Sequence, residues 1–320
     1  MRKTLKCITT KISILLLAMI MAVSFAACEE EESETASPLP TETASPSPPE
    51  TVSPSPPETA SLLPTEMPST EPSPSGTPVP AGATYVEFYD MYVDLTDTAS
   101  LSRDIIGWSE NQTRSQMLDK YNIVTGFEMD DQVIYLTFNL GYEHVRGNTE
   151  KLLEILSLRD IKATFFLVGE FIEVFPEKVQ AIYEDGHTLG AHSYYHIPPS
   201  YTMTDEEYIN DLISTEKLLQ TALGDDYTRM KYYRPIAGEY CERDLYIATT
   251  LGYTTVLFDA TYSDWNRTVV NGMDYALTEL KADVHNGAVY QLHIVTSDNI
   301  EALPAFLDDL ISQGYTFKAF

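Results

Sequence analysis

The sequence predicts an α/β fold, a distorted or incomplete (β/α) barrel of about seven parallel strands. Two observations carry this. From Gln132 onward, short apolar, β-branched runs alternate with helical patterns, an alternation that builds parallel strands joined by right-handed crossovers. Polar clusters at Asn139 to Glu143, His192 to His196, Arg234 to Tyr240, Asp259 to Trp265 and His293 to Asp298 each follow the C-terminal end of a different run, the place where βα loops assemble barrel active sites. An open doubly wound sheet, the alternative, would concentrate such residues at one switch point.

The first 28 residues do not belong to that fold. Arg2, Lys3, Lys6 and Lys11 precede an apolar run from Ile12 to Ala27, short for a membrane span of about 20 residues, and the pattern reads as a signal peptide. It ends Phe25-Ala26-Ala27-Cys28, which resembles a bacterial lipobox with Phe25 in place of the usual leucine. Cys28 is then the lipidated residue, against ordinary cleavage near Ala26 or an uncleaved anchor. From residue 29 to 84 the chain is Pro, Ser, Thr and Glu with almost no apolar residues, and Thr43-Ala-Ser-Pro-Ser-Pro-Pro-Glu50 is echoed by Thr51-Val-Ser-Pro-Ser-Pro-Pro-Glu58. Such a segment cannot bury enough surface to offset its ordering entropy, so a disordered, semi-rigid linker is expected. Of three cysteines, Cys7 leaves with the signal peptide and Cys28 is the anchor. Cys241 is then alone, and the folded part is held by its core rather than by disulfides. The formal charge of -28 disfavours nucleic acid as a partner.

Residues 85 to 130 read as an N-terminal cap on the main domain, 131 to 320: an alternating run from Tyr85 to Leu95 suggests a strand, Trp108 an anchor, and Gln116 to Tyr121 a short helix. Strands are expected at 132–138, 162–168, 187–191, 231–234, 253–258, 287–293 and 315–318, and helices at about 147–159, 176–185, 205–222, 242–251, 271–282 and 299–313. Thr204 with Glu207 makes a capping-box start, after which Tyr208, Leu212, Thr215, Leu219 and Leu223 recur at helical spacing and mark a buried face. Pro304 suits the last helix only near its first turn, because a later proline removes a backbone hydrogen bond.

His192 and His196 stand four residues apart, a spacing at which two imidazoles converge on one ion, although such a pair is also found in structural roles. Five stretches, in order, resemble the NodB-type polysaccharide deacetylases, carbohydrate esterase family four. Tyr135-Leu-Thr-Phe-Asn-Leu-Gly-Tyr-Glu143 stands where that family has Thr-Phe-Asp-Asp-Gly. His192-Ser-Tyr-Tyr-His196, Tyr233-Arg-Pro-Ile-Ala-Gly238, Asp264-Trp265 and Tyr290-Gln-Leu-His293 complete the set. The Gly-Tyr-Glu ending, the Tyr-Arg-Pro cluster and the tail Ser297-Asp-Asn-Ile-Glu-Ala302 are most similar to the bacterial muramic acid de-N-acetylases, the branch tied to spore-cortex δ-lactam formation.

The resemblance implies a NodB-type barrel and metal-dependent hydrolysis of N-acetyl groups on peptidoglycan or a related glycan. N-deacetylation needs an activated water, a cation that polarises the amide carbonyl, and an acid that protonates the departing amine. By resemblance, His192 and His196 hold a divalent metal, Zn in kind, at a weak site. His293 is the acid, kept protonated by Asp264, and Arg234 restrains the base. Trp265, Leu292 and Pro235 bind substrate, the first two walling the acetyl pocket, with ordinary core packing as the competing reading. His187 and His144 match no motif position and read as structural.

The first motif departs from the family. Asn139 occupies the position of the base and Leu140 that of a metal-binding Asp or Asn. An amide takes no proton from water, and an alkyl side chain offers a metal nothing. Glu143 is a possible substitute base. Two readings stay open: an impaired hydrolase of cell-wall N-acetyl groups, and a non-catalytic glycan-binding pseudoenzyme. In either, the chain is expected to be exported and lipid-anchored at the outer face of a bacterial, Gram-positive cell membrane, with cell-wall glycan as its partner.

Overall fold

The computed structural model describes residues 83–108 and 111–320, without the side chains of 111–115. The signal peptide, Cys28 and the linker through residue 82 lie outside the described residues.

The alternation at Tyr85 to Leu95, expected to be one strand, is an antiparallel hairpin of β1 (Ala83–Val86) and β2 (Met91–Asp94). Glu87–Tyr89 form a 3-10 turn between them, and Asp90 takes a left-handed φ of 47°, which a short polar side chain tolerates. Val86 and Val93 turn into the main core. Helix α1 (Asn111–Tyr121) begins earlier than the expected 116.

Seven parallel strands follow: β3 (Val133–Leu140), β4 (Thr164–Leu167), β5 (Thr188–Ala191), β6 (Tyr232–Tyr233), β7 (Thr254–Thr255), β8 (Ala288–Leu292) and β9 (Thr316–Lys318). Their order is β7-β6-β5-β4-β3-β8, with β9 also on β3. One edge of β3 carries β8 over Ile134–Phe138, so β4 on Thr137–Leu140 and β9 on Val133–Tyr135 share the other edge end to end. Just past β7 the chain swings to the far side of the sheet, where Ala260 bridges Tyr290 of β8. The sheet therefore curls into a distorted barrel and does not lie open. Strands covered on both faces need apolar residues throughout, and every residue of β4 and β8 is buried.

The helices on the outside are α2 (Asn148–Ser157), α3 (Gly169–Val174), α4 (Pro176–Glu184), α5 (Pro199–Thr202), α6 (Asp205–Leu223), α7 (Glu242–Thr250), α8 (Met273–Ala282) and α9 (Asp298–Ser312). Only α3 and α5 went unforeseen, being too short to display a helical period. The capping box forms as expected: Thr204 Oγ1 accepts the Glu207 N–H at 3.2 Å, and the Glu207 carboxylate accepts the Thr204 N–H at 2.7 Å. All five residues of the expected α6 face are buried. Pro304 sits well inside α9 rather than in its first turn. Its fixed φ suits a helix, and the cost is the missing N–H to the Ile300 carbonyl.

Candidate active site

The C-terminal ends of β3, β5, β6 and β8 and the loop after β7 converge on one cleft. Arg234 follows β6 and is wholly buried. Its Nε and Nη2 donate to the carbonyls of Val256 and Leu257 at 3.2 and 3.0 Å, and Nη1 donates to Thr137 Oγ1 at 2.6 Å and Asn139 Oδ1 at 3.0 Å. Its guanidinium carbon lies 4.1 Å from the Phe166 ring centroid, a cation–π contact. Burial lowers its pKa well below the usual arginine range. Among the described residues every hydrogen-bond acceptor of this cation is neutral, and the one side chain standing where a carboxylate would pair with it is Asn139.

The other amide atom, Asn139 Nδ2, lies 3.4 Å from His293 Nε2. His293 follows β8 and is held on its far side by Asp264. Its Nδ1 is 2.7 Å from Asp264 Oδ1, and its backbone N–H donates to Oδ2 at 2.7 Å. Asn299 of α9 completes the clamp, donating to Asp264 Oδ2 at 2.7 Å and to the His293 carbonyl at 2.8 Å, while the Tyr262 hydroxyl donates to Asn299 Oδ1 at 2.6 Å.

His192, at the end of β5, is buried, and its Nδ1 lies 2.8 Å from the Arg234 carbonyl. A carbonyl only accepts, so the ring proton sits on Nδ1 and Nε2 keeps its lone pair. Burial first, then the neighbouring His196, hold His192 well below the ordinary histidine range and so neutral. The His196 ring is 5.2 Å away, at 73° to it. The expected pair is thus assembled. The third position is closed: Leu140 is buried in the core and pairs with Leu167 of β4. Among the described residues no three His, Cys, Asp or Glu side chains gather as a metal site. A catalytic zinc needs three protein ligands and an open position, and these residues do not fit one.

The pair rides on a loop that α6 supports from below. Buried Asp211 accepts the Tyr194 N–H at 2.9 Å and the Ser193 hydroxyl at 3.3 Å. Burial raises its carboxyl to about 6. Ser193 and His196 have φ of 65° and 58°, left-handed backbone that needs such support in residues other than glycine.

Three expectations need correction. Glu143 is not available as a base. Its Oε2 pairs with Lys178 Nζ at 2.7 Å and its Oε1 accepts the Thr149 N–H at 3.2 Å, so it caps α2 and ties it to α4. Trp265 is 64% exposed and stands on the surface instead of walling an enclosed pocket. Leu292 is wholly buried in the core cluster, as the packing alternative had it, and Pro235 is buried beside Arg234. His187, by contrast, is structural as expected: its Nδ1 accepts the Ala163 N–H at 3.1 Å, and burial lowers its pKa to about 4. Sequence reasoning missed Asp211, Asn299 and Thr137 as supporting residues. Asn299 and Thr137 lie inside stretches already singled out, and Asp211 falls on the buried face of α6, where an unpaired acid is itself a signal.

A model of the polysaccharide deacetylase family matches residues 127–275. Peptidoglycan-N-acetylmuramic acid deacetylase PdaA of Bacillus subtilis (strain 168) is 34% identical over 205 residues, which cover 64% of this chain and 76% of that protein. The solved structure of Bacillus subtilis PdaA, a family 4 carbohydrate esterase, superposes with a TM-score of 0.64 at 30% identity, covering 68% of this chain and 96% of that one. A family 4 pseudoenzyme from Bacillus anthracis superposes with a TM-score of 0.55 at 26% identity, covering 61% of this chain and 66% of the other, and a mutant of that pseudoenzyme is described as having restored enzymatic activity.

Proposed function

Because the chain belongs to the polysaccharide deacetylase family, we propose that it is an exported, lipid-anchored protein that binds cell-wall glycan in this cleft without deacetylating it. One observation carries the reading: wholly buried Arg234 donates to the neutral oxygen of Asn139, at the place where the reaction needs a base. An amide cannot take the proton of the attacking water. A general base is worth about 10²- to 10⁴-fold in rate, and the loss of a third metal ligand at Leu140 adds to it. The glycan follows from the similarity to PdaA, which acts on peptidoglycan. The anchor follows from the leader and Cys28.

The test measures two things on the purified full chain with peptidoglycan: acetate release and glycan binding. Retained binding with background acetate release is expected. Brisk turnover by the unaltered protein would establish the hydrolase reading instead, and absence of binding would remove the glycan. Cys28→Ala should release the protein from the membrane or leave its precursor unprocessed.

A further inference from the structure

We propose that the barrel carries a second binding site, at the end away from the cleft, in which His187 and Lys231 hold the carboxylate of a small organic anion. The strands are parallel, so the residues that lead into them gather at one end and those that leave them at the other. His187 immediately precedes β5 and Lys231 precedes β6, whereas the cleft lies where those two strands finish. Between His187 and Lys231 is a pocket of about 300 Å³, at the lower end of the size range of small-molecule sites.

His187 is 6% exposed, and its two ring nitrogens differ in role. A backbone N–H only donates, so Nδ1, which takes the Ala163 N–H at 3.1 Å, carries a lone pair and the ring proton is on Nε2. Among the described residues the Nε2–H has no acceptor. With Nδ1 tied to the backbone, the ring lines the pocket with its other nitrogen. A buried donor without a partner costs free energy until something accepts from it.

The charge around the ring selects an anion. After burial, Lys162 is the next cause of the ring's lowered pKa, and it outweighs the opposing Asp185. Lys231 is exposed at the pocket. The acids on this side are Asp185, Glu216 near Arg229, and the carboxylate that ends the sequence at Phe320. Among the described residues none of them forms an ion pair with Lys162 or Lys231. Arg229 also lines the pocket, but its guanidinium is turned to the Tyr89 ring, 3.9 Å from the centroid. One neutral N–H and one ammonium match the two oxygens of a carboxylate. Leu189, Met230, Tyr232 and Phe320 supply apolar wall, so the carboxylate is carried on a short apolar body. Thr188 is already engaged, its hydroxyl donating to the Phe320 backbone oxygen at 2.9 Å.

Calorimetry on the full chain tests this with carboxylates from two sources, hexanoate as a free acid and N-acetyl-alanyl-alanine as a peptide end, each beside its neutral amide. At least one carboxylate is expected to bind in the millimolar range, and its amide at least about tenfold more weakly, the effect of losing a hydrogen bond to a charged group. The tighter of the two names the source. His187→Asn keeps an acceptor for the Ala163 N–H where Nδ1 stands and removes the Nε2–H, and it should weaken binding about tenfold. Lys231→Gln, at the surface, should weaken it about threefold. The inference is overturned if neither carboxylate binds, if the amides bind as well as the acids, or if both variants, folded, bind as tightly as the parent. Should His187→Asn not fold, Lys231→Gln and the amides decide. Peptidoglycan binding, read separately on the same protein, reports on the cleft alone, because the pocket lies at the other end of the strands from Asn139.

Discussion

On the β8 side of the cleft Asp264 accepts three N–H groups, two from His293 and one from Asn299, and Tyr262 closes the network behind them. On the β3 side Arg234 is wholly buried but among the described residues meets only neutral acceptors, Asn139 among them, and Leu140, which follows Asn139, belongs to the core. The two sides share one sheet and one cleft. The difference between the two sides lies in two adjacent side chains at one strand end, Asn139 and Leu140, while the strand itself keeps its full ladder to β4 and β8. A function can be lost there without disturbing the fold, because neither side chain is needed for strand pairing.

The strongest way to break that contrast is to make the two sides alike. Asn139→Asp combined with Leu140→Asn should raise acetate release from peptidoglycan by on the order of 10²-fold. If the double variant is folded and stays inert, the lesion is not confined to β3. The opposite operation damages the intact side: Asp264→Ala leaves three donors without their acceptor and should cost about 2–3 kcal/mol in urea unfolding. A loss below about 0.5 kcal/mol would show that the clamp is not structural.

Asp211 sharpens the comparison from a third direction, since it braces the histidine loop and touches neither side. Burial raises its carboxyl from 3.8 to about 6, so the folded state favours the protonated form. The stability this contributes is full below the ordinary aspartate value and is lost as pH rises through about 6. Asp211→Asn should therefore flatten a fall of on the order of 1–2 kcal/mol between about pH 4 and pH 6, measured by denaturation at each pH. An unchanged slope would assign the fall to other groups. The smallest effect is expected at Glu143. Glu143→Ala should cost about 1 kcal/mol, because Lys178 keeps Glu150 at 2.7 Å, and, added to Asn139→Asp with Leu140→Asn, should leave the acetate release of that double variant unchanged. A fall in acetate release would return Glu143 to the chemistry.

The seven strands and the main helices were legible because a buried parallel strand must be apolar on both faces and an amphipathic helix on one, patterns that survive in the order of residues alone. The capping box at Thr204 was legible for the same local reason. His192, His196, Arg234, Asp264 and His293 could be picked out because each follows a strand end, and parallel topology carries all strand ends of one polarity to one face. The amide at Asn139 and the alkyl side chain at Leu140, on which the proposed loss of a base and of a third ligand rests, were likewise visible as residue types. What the sequence could not decide was direction. Glu143 lies four residues from Asn139, yet its carboxylate is drawn outward by Lys178, thirty-five residues away. Trp265 adjoins Asp264 but stands in solvent, and Asn139 shows which amide atom faces His293 only once Arg234 is in place behind it. Partners in each case come from other strands and helices. Hydrogen bonds and ion pairs are short-ranged and directional, so which atom faces which is settled only after the sheet has curled and brought those elements together.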